Sequence, residues 1–278
     1  LKRLVVTADD AGLHPGMTAG ALAAHRRGIV TAVAVAPVGE AFEDAVERLR
    51  DAPGLEVGIH WVLVGERPLS PAREVPSLLG RDGALLPSFR AFVRRYFLGG
   101  IDLAQIEREM RRQLERLLAT GLPVVHANSH QHLHALPAIF AVACRLAEEH
   151  GIRWLRVPRE PRAPLHTRRG IEMCVLNAFG RRAKRRLPPS GRVTALEATA
   201  GLTVAGHLTV ERLQQELLLV RGSTELVCHP GVGDGDLAAR YRWGYCWEAE
   251  TAALCDSRLP VWLREAGIEL TSFSRLTS

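Results

Sequence analysis

A chain of 278 residues with 47% hydrophobic content can bury one substantial core, and its formal charge is +6. No stretch approaches the roughly 20 apolar residues that a membrane span needs, and Leu4-Val5-Val6 is too short to form the apolar region of a signal peptide. Cys144, Cys174, Cys228, Cys246 and Cys255 show no Cys-x-x-Cys spacing, which argues against a disulfide framework and for reduced thiols in a cytoplasmic protein.

Leu1 stands where a methionine is expected, as if a few native residues preceded it. Arg3 to Ala8 is an apolar run ending in Asp9-Asp10, a natural first strand. Met17 to Arg27 reads as a helix, Ile29 to Ala36 as a buried strand, Ala41 to Arg50 as an amphipathic helix and Leu55 to His60 as the third strand. From Val62 to Gly100 prolines and glycines break the rhythm, predicting an excursion over the rim with helical turns near Phe89 to Phe97. Ile101 to Thr120 is a strong helix, Pro123 to Ala127 a strand, Pro137 to His150 a helix and Ile152 to Val157 a strand. Residues 153–192 carry twelve Lys and Arg against Glu160 and Glu172, a patch suited to an anionic partner, with a helix expected around Gly170 to Arg182. Leu208 to Val220 reads as a helix with Thr209 as N-cap, Glu225 to Cys228 as a strand, Trp247 to Glu265 as one helix and Ile268 to Phe273 as a last strand. Seven or eight strands alternating with helices over residues 1–278, with no internal repeat or linker, predict one α/β domain, a distorted barrel of mainly parallel strands. An open doubly wound sheet is the alternative, although no Gly-rich nucleotide-binding motif follows any strand.

Four strand ends place polar groups after apolar runs: Asp9-Asp10, His60, Ser129-His130-Gln131-His132-Leu133-His134 and Cys228-His229-Pro230. Parallel strands would deliver all of them to one rim. Adjacent residues on an extended strand point in different directions, so one aspartate can bind a metal while the other faces substrate. His130, His132 and His134 alternate, and in an extended segment they would share a face, where three imidazoles call for a metal, an anion or water. Asp with two His would hold a divalent cation and leave a position open, which points to hydrolysis. Cys228 reads as a small buried side chain at a strand end, and His14 and His126 as structural.

Ala-Asp-Asp-x-Gly-Leu, Gly-x-His, Ser-His-x-His-x-His and Cys-His-Pro occur in an order that resembles the YdjC-like carbohydrate deacetylases, over essentially the whole chain. Ala24 to Gly28, Val157 to Pro161, Tyr241 to Tyr245 and Ile268 to Phe273 resemble the branch associated with hopanoid biosynthesis. The resemblance implies a (β/α) barrel that hydrolyses the N-acetyl group of an amino sugar. It matches Asp10, His60 and His130 to the metal ligands, Asp9 to the general base and His229 to the general acid. It makes Asn128, His132, His134 and Arg159 substrate contacts or supports of the ligands. Many relatives have Asp where Asn128 stands, so ligand orientation here would rely on neutral hydrogen bonding. The cofactor expected is one divalent ion, Zn or Mg, with mixed N and O ligands favouring Zn²⁺.

The substrate expected is N-acetylglucosamine attached to a hopanoid. The partners expected are that N-acetylated amino sugar or glycolipid, an anionic membrane touched peripherally at its inner face, and a second copy forming a homodimer. Nucleic acid is not expected, because the basic segment offers few stacking aromatics. The rival readings are a metal-dependent barrel phosphoesterase and a non-catalytic glycolipid-binding protein.

Overall fold

The computed structural model describes residues 1–160 and 168–277, with the side chains of Arg168, Arg169 and Thr277 left out of account. Pro161, named above in a family motif, and Arg162, counted in the basic segment, lie outside the described residues.

Among the described residues eight parallel strands form the sheet: β1 (Lys2–Ala11), β2 (Ala32–Val35), β3 (Glu56–Trp61), β4 (Val124–Ser129), β5 (Trp154–Leu155), β6 (Ala198–Ala200), β7 (Ser223–Cys228) and β8 (Ile268–Leu270). Their order is β5-β4-β3-β2-β1-β7-β6, and β8 pairs with Lys2 to Leu4 at the start of β1. Leu4, Val5, Val6 and Ala8 are fully buried, as expected of a strand covered on both faces. The sheet curls until its ends meet. Leu155 N donates to Thr194 O at 2.9 Å, and Thr199 N donates to Arg159 O at 3.0 Å, joining β5 and the chain just beyond it to that around β6. The expected distorted barrel is therefore present, and the open doubly wound alternative is not.

Among the described residues ten helices surround it: α1 (Pro15–Arg27), α2 (Phe42–Arg50), α3 (Phe89–Phe97), α4 (Leu103–Leu118), α5 (Pro137–Glu149), α6 (Arg168–Lys184), α7 (Val210–Leu218), α8 (Asp234–Arg240), α9 (Trp247–Leu254) and α10 (Leu259–Glu265). Among the described residues four of them, α1, α3, α4 and α7, begin on a side-chain cap: the Asp102 carboxylate accepts from Ala104 N before α4, and the Thr209 hydroxyl accepts from Arg212 N before α7. On α4, Ile106, Met110, Leu114 and Leu117 form the buried stripe. Between them Glu109 accepts from the backbone of Leu69 and Ser70, and Gln113 both accepts from and donates to the backbone of Val62. Those polar side chains fasten the 62–100 excursion to the barrel.

Three expectations need correction. Trp247 to Glu265 is two helices, broken at residues 255–258 ahead of Pro260 in the first turn of α10. β6, only Ala198–Ala200, and α8 were not foreseen, being too short for a periodic signal. The Ser-His-x-His-x-His segment is not extended: His130–Ala135 is a 3₁₀ turn with φ of 52° at Gln131 and 56° at His132. Its three imidazoles consequently face different surroundings.

Candidate metal centre

The centre is built where β1, β3 and β4 end. Between Ala8 and Ala11 β1 carries one residue more than β2 opposite, a bulge in which Asp10 takes φ of 69°. The kink turns both carboxylates inward and gives each its own partners, so neither faces open solvent. Asp10 Oδ1 lies 3.0 Å from His60 Nε2 and 2.9 Å from His130 Nδ1. Ligand atoms of the three residues all lie within 4.8 Å of one another. Neighbouring donors around a tetrahedral ion with bonds of about 2.0–2.2 Å would stand about 3.3–3.6 Å apart.

The donor chemistry fits a cation. Asn128 Nδ2 donates to Asp9 Oδ1 at 3.1 Å, which turns Asn128 Oδ1 towards His60 Nδ1 at 2.5 Å. His60 Nδ1–H must donate there, because an amide oxygen only accepts. The lone pair left on Nε2 then faces the Asp10 carboxylate, and this buried nitrogen has no hydrogen-bond partner among the described residues. A lone pair against a carboxylate is repulsive unless a proton or a metal ion stands between them. Burial disfavours charge on His60, yet Asp9 and Asp10 outweigh it and raise its pKa. Burial likewise pushes Asp10 upward, and His130 and His60 more than reverse that, holding it well below the carboxylate range.

Asp9 is held differently. Arg156, almost inaccessible, donates Nη1 to Asp9 Oδ2 at 2.6 Å and Nη2 to Asp9 Oδ1 at 2.9 Å. The same guanidinium donates Nε and Nη2 to Glu225 at 3.0 and 2.8 Å. Burial raises Asp9, but Arg156 and His60 hold it far below its ordinary value, so it is ionised at every working pH. Asp9, Asp10 and Glu225 together set three carboxylates against one guanidinium, a surplus that a divalent ion would balance.

His134 supports Arg156 from behind. Its Nε2 donates to Arg156 O at 2.8 Å, so its Nδ1 accepts from the Ser129 hydroxyl at 2.6 Å. His132 sits edge-on to His134 at 6.5 Å, its Nδ1 without a hydrogen-bond partner among the described residues. His229 donates its backbone N–H to Glu250, while its ring stands edge-on to Tyr245 at 5.3 Å. Burial lowers the His229 pKa against the opposing pull of Asp10 and Asp9. On the other side Trp243 lies 5.0 Å from the His130 ring. Tyr241, Trp243, Tyr245 and Trp247 thus form an aromatic wall from His130 to His229, beside a cavity of about 170 Å³ lined by His130, Glu66, Arg240, Arg242 and Trp243.

Asp9, Asp10, His60, Asn128 and His130 are brought together as the sequence suggested. Arg159 is not among them; it lines a separate cavity with Asn177, Arg181, Glu197 and Arg221. Arg156 and Glu225 were missed, although each is a charge inside an otherwise apolar strand run, which is costly to bury without a partner. Cys228 is fully buried, its thiol donating to Thr7 O at 3.4 Å, and burial raises its pKa far above the ordinary thiol value.

A family model described as YdjC-like protein matches residues 3–265. The chain belongs to the YdjC-like family. A carbohydrate deacetylase of Geobacillus stearothermophilus is 32% identical, over 97% of this chain and 96% of its own. A chitooligosaccharide deacetylase of Escherichia fergusonii is 30% identical, over 97% of each chain. A crystal structure from Enterococcus faecalis V583, provisionally named a cellobiose-phosphate cleavage protein, superposes with a TM-score of 0.77 at 25% identity, over 99% of this chain and 98% of its own.

Proposed function

We propose that this YdjC-like chain is a hydrolase that removes the N-acetyl group from an amino sugar with the help of one divalent ion, Zn or Mg. The observation that carries the reading is the Asp10, His60 and His130 cluster, set beside an aromatic wall that suits the face of a sugar ring. The names of the deacetylase relatives support the same chemistry. When bound, such an ion polarises the amide carbonyl and makes water a better nucleophile at neutral pH. The mixed nitrogen and oxygen donors favour Zn²⁺.

The chain's own groups would manage the protons. Asp9 takes one from the attacking water through the carboxylate position that Arg156 and Asn128 leave free. Because Arg156 keeps Asp9 weakly basic, that proton is readily passed on. His229 supplies a proton to the departing nitrogen, and acetate and a free amine result. Asn128 fixes the His60 tautomer that points Nε2 inward, the task a carboxylate has in many relatives. With Asn at 128, the side chain can donate to Asp9 as well, which an ionised Asp could not.

The substrate we infer is N-acetylglucosamine attached to a hopanoid lipid, reached by peripheral contact with an anionic membrane at its cytoplasmic face; no helix among the described residues is long and apolar enough to cross one. A barrel phosphoesterase would normally need more ligands than the single cluster found among the described residues. Acetate release from a panel of N-acetylated sugars and glycolipids tests the reading. Wild type is expected to release acetate only with metal restored after chelation, and Asp9→Asn to lose at least about 100-fold in kcat. No acetate release from any member of the panel by the metal-restored wild type, or full activity in folded Asp9→Asn, would overturn it.

A further inference from the structure

Helices α3 and α6 lie side by side on the rim that carries the metal centre. The backbone N–H of Ala138, in the first turn of α5, donates to the Tyr96 hydroxyl of α3, and α6 packs against α5 and the His130–Ala135 turn. Phe97 stacks on Phe179 at 6.3 Å, and Arg90 pairs with Glu172 at 3.6 Å, so the two helices present one continuous face. That face is apolar where most protein surface is polar: Phe97 is 61% exposed, Leu98 74%, Ile171 57% and Val175 52%. Along α6 and just past its end the exposed positions Ile171, Val175, Ala178, Arg182 and Arg185 recur at helical spacing, apolar in the first half and basic in the second. Arg181, Arg182, Lys184 and Arg185 are exposed and make no ion pair with any described carboxylate.

We propose that the α3/α6 face docks on an anionic lipid bilayer. Phe97, Leu98, Ile171 and Val175 would enter the boundary between headgroups and acyl chains, and the cations at the end of α6 would meet the phosphates. Charge complementarity selects this occupant: large apolar side chains bordered by unpaired cations match the layering of an acidic membrane surface. Single-stranded nucleic acid fits less well, because Phe97 and Phe179 stack on each other and offer no series of free platforms. The inference deepens the lipid-linked substrate reading and rests on it for its purpose. Vesicle binding and acetate release are read separately, so either can fail alone.

Co-sedimentation of the full chain with phosphatidylglycerol vesicles, and with purely phosphatidylcholine vesicles, tests it. Binding to the anionic vesicles should be at least about tenfold tighter and should weaken with salt. Phe97→Ser/Leu98→Ser and Arg181→Gln/Arg182→Gln/Arg185→Gln should each weaken it by at least about tenfold, with the folded state by circular dichroism and turnover of a soluble N-acetylated sugar unchanged. The proposal is overturned by equal binding to both vesicle types or by wild-type vesicle binding in the Phe97/Leu98 variant. Tighter binding to single-stranded nucleic acid, or a dimer through this face that excludes vesicles, would overturn it as well.

Discussion

At the scale of single residues, the arrangement turns on Arg156. It is the shared counterion of Asp9 and Glu225, and its carbonyl anchors His134. Removing one partner from a buried ionic cluster leaves the others uncompensated, at about 3–5 kcal/mol. Arg156→Met should therefore lower unfolding free energy by about that amount in urea titrations, and should cut kcat by more than about 100-fold as Asp9 loses its position. Arg156→Lys should regain stability better than activity, since one ammonium cannot clamp two carboxylates in two-pronged fashion. Unchanged stability in Arg156→Met would show that the cluster does not depend on this guanidinium. The Asp9-Asp10 pair, His60 and His130 were legible in the sequence because each closes an apolar run. The partners of Asp9 were not, because pairing across β5 and β7 depends on how the sheet curls. His132 and His134 misled for a related reason: their alternation counts as a shared face only in extended backbone, and Gln131 and His132 take left-handed conformations instead.

At the scale of elements, strand spacing is set by small residues as much as by large ones. Gly58, two residues before His60, is packed against the neighbouring strand's His126, and a Cβ there would fall 2.3 Å from that ring. The imidazole is also stacked on Phe273 at 4.6 Å and has no room to retreat. Gly58→Ala should cost about 1–3 kcal/mol by overpacking and should disturb His60 with it. A thermal melt matching wild type would show that β3 and β4 can separate at no cost. The long, periodic elements were legible: α4 with its apolar stripe, α7 with Thr209 as its cap, and β1. β6 was not, because three residues carry no measurable period, and the Trp247 to Glu265 run hid a helix break whose mark is Pro260.

For the whole molecule, buried neutral histidines tie stability to pH. Burial pushes His126 down to about 4 and His134 down to about 3, so both stay uncharged in the folded state through the mildly acidic range. In the unfolded chain each takes up a proton near pH 6.5. The unfolded state then binds more protons, so stability is complete above about pH 6.5 and falls as pH drops, by about 1.4 kcal/mol per pH unit for each histidine. Asp9 and Asp10, both depressed, add to the loss only below about pH 4. Urea titrations between pH 6 and 4.5 should show stability falling with pH, and falling less steeply in His126→Phe; a flat profile would contradict it. The barrel itself was legible from strand and helix alternation, whereas its closure through residues 194 and 199 was not, being made by isolated backbone bonds. What the assembled barrel accomplishes is to carry Asp10, His60 and His130 from three strand ends to one point. Elemental analysis after equilibrium dialysis against Zn²⁺ measures this directly. One ion per chain is predicted for wild type and for Asp9→Asn, with none retained by Asp10→Ala, His60→Ala or His130→Ala. A folded wild-type chain that binds no ion, or variants at those three positions that keep theirs, would contradict the account.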